Sequence, residues 1–169
     1  MKILVVSDTH GMTGKLEKIL ARHADDVKMV CHIGNAPEDL MQYQPKYPSL
    51  PMVAIAGNGD YDYNAQPEAI LQFVPCVDAG KEALVKILLI HGHHHGVYNG
   101  IDRLVYYAKE KGVNAVFYGH THIPLETTVN GIYVLNPGSP SCPRGKSNAS
   151  YGIVEISPTG EISGEIYPA

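Results

Sequence analysis

The sequence contains no tryptophan, only two phenylalanines and only three cysteines among its 169 residues. The odd number of cysteines and the absence of a CxxC pair argue against a disulfide framework and against a thiolate zinc site. No apolar run approaches the roughly 20 residues that a membrane-spanning helix needs. The apolar N-terminus reaches Ser7-Asp8 too soon for a signal peptide. We therefore expect a cytoplasmic protein that does not associate with membranes.

Charge is also sparse, since charged residues make up 18% of the chain and the formal net charge is −4 with histidine neutral. A chain without a basic excess lacks the charge that broad nucleic-acid binding needs. A phosphate substrate stays open, because bound metal ions can supply local positive charge. The length and the 44% of hydrophobic residues predict one domain with a sizeable core, spanning residues 1–169.

Histidine is the distinctive excess, with nine residues, and the most informative stretch is Gly119-His120-Thr121-His122. It follows an apolar run at 115–118 that predicts a buried strand. In an extended chain, residues two positions apart point to the same side, so His120 and His122 can present both imidazoles to one point. Imidazole is a good ligand for divalent transition metals. An isolated pair of this kind is also compatible with ordinary surface histidines.

Polar, metal-capable residues follow other predicted strands in the same way. The strands and the residues that follow them are 2–6 with Asp8 and His10, 27–33 with Asn35, 52–56 with Asn58, 83–90 with His91, and 115–118 with His120 and His122. In α/β sheets, sites form outside the carboxyl ends of the strands. Nitrogen and oxygen ligands without thiolate favour Mn²⁺, Fe²⁺ or Zn²⁺ over Ca²⁺. Seven candidates are too many for one four-coordinate ion and suit a pair of ions.

The intervening segments predict a mixed α/β arrangement. A helix at 12–23 carries Met12, Leu16, Ile19, Leu20 and His23 on one face, which after strand 2–6 begins a βαβ unit. Apolar segments at 69–77 and 83–90, separated by 78–81, predict a hairpin, so that part of the sheet is antiparallel. A second amphipathic helix begins near residue 101 and ends near 112. The remaining strands are predicted at 125–130, 132–135, 152–157 and 162–167, with a hairpin turn at Asn130-Gly131.

Taken in order, the motifs Asp-x-His, Gly-Asn, Gly-Asn-x-Asp, His-Gly-His, Gly-His-Thr-His and Asn-Pro-Gly-Ser resemble those of the calcineurin-like metallophosphoesterases. The compact bacterial and archaeal phosphodiesterases of the YfcE type are similar over essentially the whole chain. The resemblance implies an α/β fold, a four-layer αββα sandwich in which two mixed β-sheets are flanked by helices. It also implies hydrolysis of small phosphodiester or phosphate-ester substrates by a hydroxide that two metal ions activate.

The resemblance also implies roles for individual residues. By the family pattern, the first metal is held by Asp8, His10 and His122, the second by Asn58, His91 and His120, and Asn35 stands at the bridge. We expect two divalent ions, Mn²⁺ first, with Ni²⁺, Co²⁺, Fe²⁺ or Zn²⁺ as alternatives. Asp60 and His93 are catalytic candidates, to orient the water or to protonate the leaving group. Asn58 is a third, to contact a phosphate oxygen.

Asn35 departs from the pattern, because the family's bridging residue is an aspartate. An amide is neutral, so the second ion should bind less tightly than it does beside a carboxylate. A retromer scaffold subunit on this fold resembles the chain in having asparagine at this place. An inactive scaffold or binding protein is therefore the alternative to the enzyme. Against it, a ligating residue fills every other metal position.

Three further features leave alternatives open. The turn 136–139 either offers backbone N–H groups near the site or shapes the loop that follows it. Arg144 either reaches an anionic substrate or is simply solvated. The 11 tyrosines are compatible with a homo-oligomer, since tyrosine is enriched at interfaces, and equally with ordinary half-exposed packing.

Overall fold

The computed structural model describes residues 1–60, 65–74 and 84–169, and within them ten strands form two mixed five-stranded sheets. The first sheet has the order β10-β9-β1-β2-β3 and the second the order β4-β5-β6-β8-β7. The strands are β1 (Lys2–Val6), β2 (Met29–Ile33), β3 (Met52–Ile55), β4 (Glu68–Phe73), β5 (Val85–Ile90), β6 (Ala115–Phe117), β7 (Leu125–Val129), β8 (Ile132–Asn136), β9 (Ser150–Ile156) and β10 (Ile162–Pro168).

Strand β1 shows how the layers stack. Its residues from Ile3 to Val6 are fully buried, as expected for a strand that is covered on both faces. Ile3 and Val5 share one core cluster with Ile87 and Leu89 of the second sheet, so the two sheets pack face to face. Leu4 and Val6 belong instead to a cluster with residues of the following helix. The predicted sandwich with helices outside both sheets is confirmed.

The helices are α1 (Gly14–His23), α2 (Glu38–Met41) and α3 (Asp102–Glu110). Leu16 and Leu20 of α1 are fully buried against the first sheet, and Leu104 of α3 packs on the outer face of the second. The prediction that Met12 lies on the buried face of α1 was wrong. The helix begins two residues later, and Met12 is 49% exposed in the loop before it.

Both predicted antiparallel pairings are confirmed. β7 pairs with β8 across Asn130-Gly131, and both turn residues have positive φ, as a tight hairpin turn requires. β4 pairs with β5 from Glu68 opposite Ile90 to Phe73 opposite Val85. The predicted turn at 78–81 lies outside the described residues.

Parallel pairing sets the position of the site. β1, β2 and β3 are parallel neighbours in the first sheet, as are β5, β6 and β8 in the second. Their carboxyl ends meet, since the backbone of Asp8 donates to the Gly34 carbonyl and that of Gly119 donates to the His91 carbonyl. Within the described ranges, none of the helices is long and apolar enough to cross a membrane.

Candidate metal centre

The loops at this edge have an unusual backbone. Among the described residues, eight non-glycine positions have positive φ, and six of these lie in the loops after β1, β2 and β6. The six are Asp8, His10, Asn35, Ala36, His120 and His122. Such left-handed conformations cost free energy and cluster at functional sites. The extended geometry predicted for the paired residues was therefore wrong, because left-handed turns aim these side chains.

Two glycines let the loops approach one another. Gly34 has φ of +88°, and a Cβ on it would lie 2.6 Å from Nδ1 of His91. A Cβ on Gly119 would lie 2.7 Å from Oδ2 of Asp8. Both distances are too short for a real side chain, so the absence of one at each position allows the strand ends of the two sheets to meet.

Asp8 occupies the middle of the centre and is fully buried. Its Oδ2 accepts hydrogen bonds from the Ser7 hydroxyl at 2.7 Å and from the His120 backbone N–H at 3.0 Å. Burial alone would raise the pKa of Asp8, but a hydrogen bond from His122 and the positive charges of His91 and His122, which both rings carry when protonated, outweigh it, so the pKa lies below its usual value. A metal cation that takes the place of these ring protons would likewise favour the ionised carboxylate.

Asp8, His10 and His122 come together as a group that could hold a metal ion, with one ligand atom from each lying within 4.8 Å of the others. Nε2 of His122 is 3.3 Å from Oδ1 of Asp8 and 3.3 Å from Nε2 of His10. His122 Nδ1 lies 2.6 Å from the Cys142 carbonyl. Because a carbonyl only accepts, Nδ1 carries a proton, so the neutral form of the ring has its lone pair on Nε2, facing the group.

His91 and Asn58 form a second close pair. His91 is fully buried, and its Nδ1 donates to the Ile33 carbonyl at 2.7 Å. Its Nε2 therefore has a free lone pair in the neutral ring, and it lies 3.1 Å from Oδ1 of Asn58 and 3.9 Å from Oδ1 of Asp8. His120 packs edge-on against the His91 ring, with 5.1 Å between ring centroids.

These acceptor pairs test whether a metal ion fits. Two oxygen or nitrogen ligands of one divalent ion, each about 2.1 Å from it, lie roughly 3 Å apart. The pairs Asp8–His122 and Asn58–His91 have this spacing, at 3.3 Å and 3.1 Å, with lone pairs facing each other when the rings are neutral. Facing lone pairs repel unless a proton or a cation lies between them. The donor set therefore fits divalent metal ions.

Asn35 is buried between the two groups, and its amide is held at both ends. Nδ2 donates to Oδ1 of Asp8 at 3.1 Å, and Oδ1 accepts from the Gly59 backbone N–H at 3.0 Å. In this orientation the amide nitrogen, not the oxygen, faces the carboxylate. To bridge two ions through Oδ1, the Asn35 amide would have to turn away from Gly59.

Asp60 lies beneath the same loops. Its carboxylate accepts backbone N–H groups of Asn35 at 2.8 Å, Ala36 at 2.7 Å and Gly57 at 2.6 Å. Both oxygens are thus used, so Asp60 joins the loops after β2 and β3. This geometry favours a positioning role for Asp60 over the predicted contact with water or leaving group.

His93 is half-buried on the same side of the centre, with its ring centroid 5.5 Å from that of His91 and 6.0 Å from that of His120. Burial, together with the charges of the neighbouring histidines His94 and His91, lowers the pKa of His93 to about 4. A neutral ring can accept a hydrogen bond from water, which favours orienting the water over protonating the leaving group at pH 7.

The loop between β8 and β9 contributes contacts that the sequence patterns did not reveal. The Ser139 hydroxyl donates to the Asp8 carbonyl at 2.7 Å, and the Cys142 carbonyl fixes the tautomer of His122. Asn136 donates to the Gly119 carbonyl at 2.9 Å and accepts from the Gly138 N–H at 2.9 Å. The turn 136–139 thus shapes this loop. Backbone carbonyls carry no sequence signal, so the Cys142 contact was not predictable.

The calcineurin-like phosphoesterase superfamily domain matches residues 1–159. The chain belongs to this superfamily. A probable metallophosphoesterase of Bacillus subtilis, YsnB, is 31% identical over 157 residues, which cover 92% of this chain and 85% of YsnB. The phosphodiesterase YfcE of Escherichia coli (strain K12) is 26% identical over 177 aligned positions, covering 92% and 88%.

A solved structure supports the fold assignment within the superfamily. The crystal structure of wild-type Vps29 from Entamoeba histolytica, complexed with Zn²⁺, has a TM-score of 0.75 and 21% identity. The alignment covers 99% of this chain and 98% of Vps29. At this identity, the likeness establishes the shared fold of two mixed sheets.

Proposed function

We propose that the chain is a metal-dependent phosphoesterase that hydrolyses small phosphodiester or phosphate-ester substrates. The observation that carries the proposal is the convergence of Asp8, His10 and His122 on one point at the carboxyl ends of the strands. Superfamily membership and the phosphodiesterase YfcE among the relatives support it. Manganese, a second ion, a single domain over residues 1–169 and a homo-oligomer remain predictions from the sequence.

Divalent ions at such a centre would supply charge neutralisation for the phosphate and a lower pKa for a bound water. Asp8 and the Nε2 atoms of His10 and His122 would hold the first ion. Asn58, His91 and His120 would hold the second. Oδ1 of Asp8 faces both groups of ligands and so would fix the position of one group relative to the other.

The remaining residues position these groups. Ser7 and the His120 N–H fix the Asp8 carboxylate, while the carbonyls of Ile33 and Cys142 accept from Nδ1 of His91 and His122 and so place the lone pair of each neutral ring on Nε2. His93 would accept a hydrogen bond from the attacking water. Because the ligands are fixed before substrate binds, little reorganisation is needed in the transition state.

The proposal is tested with purified protein, its metal content and the hydrolysis of bis-p-nitrophenyl phosphate with Mn²⁺ present. We expect at least one ion per chain and metal-dependent turnover. Asp8→Asn removes the only anionic member of the metal group and should lower kcat/KM by about 1,000-fold, equivalent to roughly 4 kcal/mol of transition-state stabilisation. Less than one ion per chain and no turnover by the wild type would refute the proposal.

A second candidate function, a scaffold or binding protein on the same fold, is favoured by Asn35. With its amide nitrogen turned toward Asp8, this residue brings no negative charge to the second ion. The scaffold predicts a folded protein with weak or single-metal occupancy and no hydrolysis of any phosphoester tested. Turnover that disappears in Asp8→Asn while the far-ultraviolet circular dichroism stays unchanged would exclude it as the sole function.

A further inference from the structure

Arg144, Tyr98 and His120 form a hydrogen-bonded chain beside the candidate centre. The Arg144 guanidinium donates through NH1 to the Tyr98 hydroxyl at 2.7 Å. The same hydroxyl donates to the His120 backbone carbonyl at 3.0 Å. Arg144 lies in the loop between β8 and β9, and Tyr98 lies in the segment between β5 and α3, so two separate loops meet at His120.

The backbone of Arg144 is tied to the other histidine of the same motif. Its N–H donates to the His122 carbonyl at 3.3 Å. Cys142, two residues earlier in the chain, accepts a hydrogen bond from the His122 ring through its backbone carbonyl. The Tyr98 ring packs edge-on against the His120 ring, with 4.9 Å between centroids. Arg144 is therefore anchored at both its backbone and its guanidinium beside the proposed metal ligands.

The Arg144 side chain is exposed to solvent. An exposed arginine side chain ordinarily has large conformational freedom. Here the bond to Tyr98 restrains a guanidinium that remains open to solvent, and Tyr98 itself is 55% exposed. A restrained, accessible cation beside the centre is suited to contact an incoming anion.

The geometry points to an anion-binding subsite in which Arg144, positioned by Tyr98, binds a non-bridging oxygen of the substrate phosphate. This inference rests on the proposed function and adds a specificity residue to it. The planar guanidinium has five N–H donors, so the bond to Tyr98 leaves donors for a phosphate in the paired geometry that arginine favours. A dianionic phosphomonoester should gain more from this contact than a monoanionic diester.

The direct test is the affinity of the Mn²⁺-loaded protein for inorganic phosphate, measured by isothermal titration calorimetry. Arg144→Met should weaken binding by about 10-fold or more, since charge-assisted bonds to phosphate are strong. Arg144→Lys keeps the charge but loses the paired geometry and should give an intermediate loss. The control is Arg22→Met, because Arg22 NH1 also contacts a tyrosine hydroxyl, that of Tyr151 at 3.5 Å, but from the last turn of α1.

Kinetics separate substrate binding from structural damage. Arg144→Met should raise KM for p-nitrophenyl phosphate more than KM for bis-p-nitrophenyl phosphate, with kcat changed by less than about threefold. Tyr98→Phe should weaken phosphate binding by a smaller factor than Arg144→Met. Adding Tyr98→Phe to Arg144→Met should weaken phosphate binding by a smaller factor than Tyr98→Phe does in the wild type, because the bond to Arg144 is then already lost.

Three results would overturn the subsite. They are phosphate affinity within twofold of wild type in Arg144→Met, an equal loss in Arg22→Met, and no measurable phosphate binding by the wild type. Failure of the hydrolytic proposal looks different. If phosphate binding depends on Arg144 but the wild type shows no turnover, the subsite stands and the proposed hydrolytic function is refuted. If the wild type shows turnover and Arg144→Met binds phosphate as tightly as the wild type, the subsite alone is refuted.

Discussion

The two halves of the proposed centre are anchored alike but charged differently. The first half consists of Asp8, His10 and His122, and the second half of Asn58, His91 and His120. Each contains one buried histidine whose Nδ1 donates to a backbone carbonyl, at 2.6 Å for His122 and 2.7 Å for His91. The first half includes the Asp8 carboxylate, whereas all three side chains of the second half are neutral ligands.

Because of this charge difference, the two halves can share the same ligand spacing and still differ in metal affinity. Both halves present lone pairs at the spacing of metal ligands, so both can accept an ion. An ion beside a buried carboxylate gains a direct charge interaction that neutral dipoles do not match. The second half reaches a carboxylate only across the shared centre, where Oδ1 of Asp8 lies 3.9 Å from Nε2 of His91. We therefore expect one tight and one weak metal site.

Deleting one ligand from each half should produce the largest changes in Mn²⁺ affinity. His10 and Asn58 are both exposed, so His10→Ala and Asn58→Ala should remove a ligand without a core cavity. In calorimetric titrations with Mn²⁺, His10→Ala should weaken the tight step by about 100-fold or more, since even the loss of an outer partner costs 10- to 100-fold. Asn58→Ala should remove the weak step and leave the tight one intact.

Unfolding titrations of both variants control for loss of fold. If either variant weakens the tight and the weak Mn²⁺-binding step equally, the two halves bind metal as one unit. Loss of the tight step in Asn58→Ala would reverse the assignment of the halves.

Acid should affect the loop of the first half through His32. This residue is fully buried on β2, and its Nε2 lies 2.9 Å from the hydroxyl of Thr9, between Asp8 and His10. Burial lowers the pKa of His32 to about 4, against the opposing charges of Asp8, Asp39 and Asp60, and His91 lowers it further. The ordinary value, expected in the unfolded chain, is 6.5.

A depressed histidine pKa means that the unfolded chain takes up the proton first. The contribution of His32 to the free energy of unfolding is complete above pH 6.5 and is lost as pH falls toward 4. The full loss is about 3 kcal/mol. Urea unfolding of the metal-free protein should show that His32→Gln loses less stability than the wild type between pH 7 and pH 4, with other titrating groups shared by both. Parallel pH profiles of the two proteins would contradict the assignment.

Site residues that lie directly after a strand could be predicted from the sequence. Apolar runs that end in polar residues located Asp8, Asn35 and His91 at strand ends, and parallel pairing brings those ends together. The prediction that Met12 is buried failed because helical spacing alone does not define where a helix begins. The buried face of α1 starts at Leu16.

The sequence could not predict what depends on contacts between distant segments. The left-handed backbone at His120 and His122 lies where loops of both sheets meet, as the bond from the His120 N–H to Asp8 shows. The bonds from Asp60 to the loop after β2 span 24 and 25 positions, and the Arg144–Tyr98 contact spans 46. The orientation of the Asn35 amide likewise depends on Gly59 and Asp8, not on its neighbours in the chain.

Asn35→Asp would give the second half an anion of its own, and we expect it to change metal affinity less than the ligand deletions do. In the metal-free protein the new oxygen replaces Nδ2, 3.1 Å from Oδ1 of Asp8, so a hydrogen bond becomes a contact between like charges. We expect the metal-free variant to lose about 1–3 kcal/mol of stability, the cost of an unmet buried partner. The same charge should tighten the weak Mn²⁺ step by about 10-fold and raise hydrolysis.

Asn35→Ala tests whether the Asn35 side chain is a ligand of the second metal ion or only lies beside it. If the amide oxygen serves Gly59, as its 3.0 Å hydrogen bond indicates, the alanine variant should bind the second ion within about threefold of wild type. If Asn35 instead turns its oxygen to a bridging position, alanine and aspartate should shift the weak step in opposite directions by similar factors. An aspartate variant that is stable without metal and binds Mn²⁺ no better would place residue 35 away from both ions, and the inequality of the two halves would then have to come from Asp8 alone.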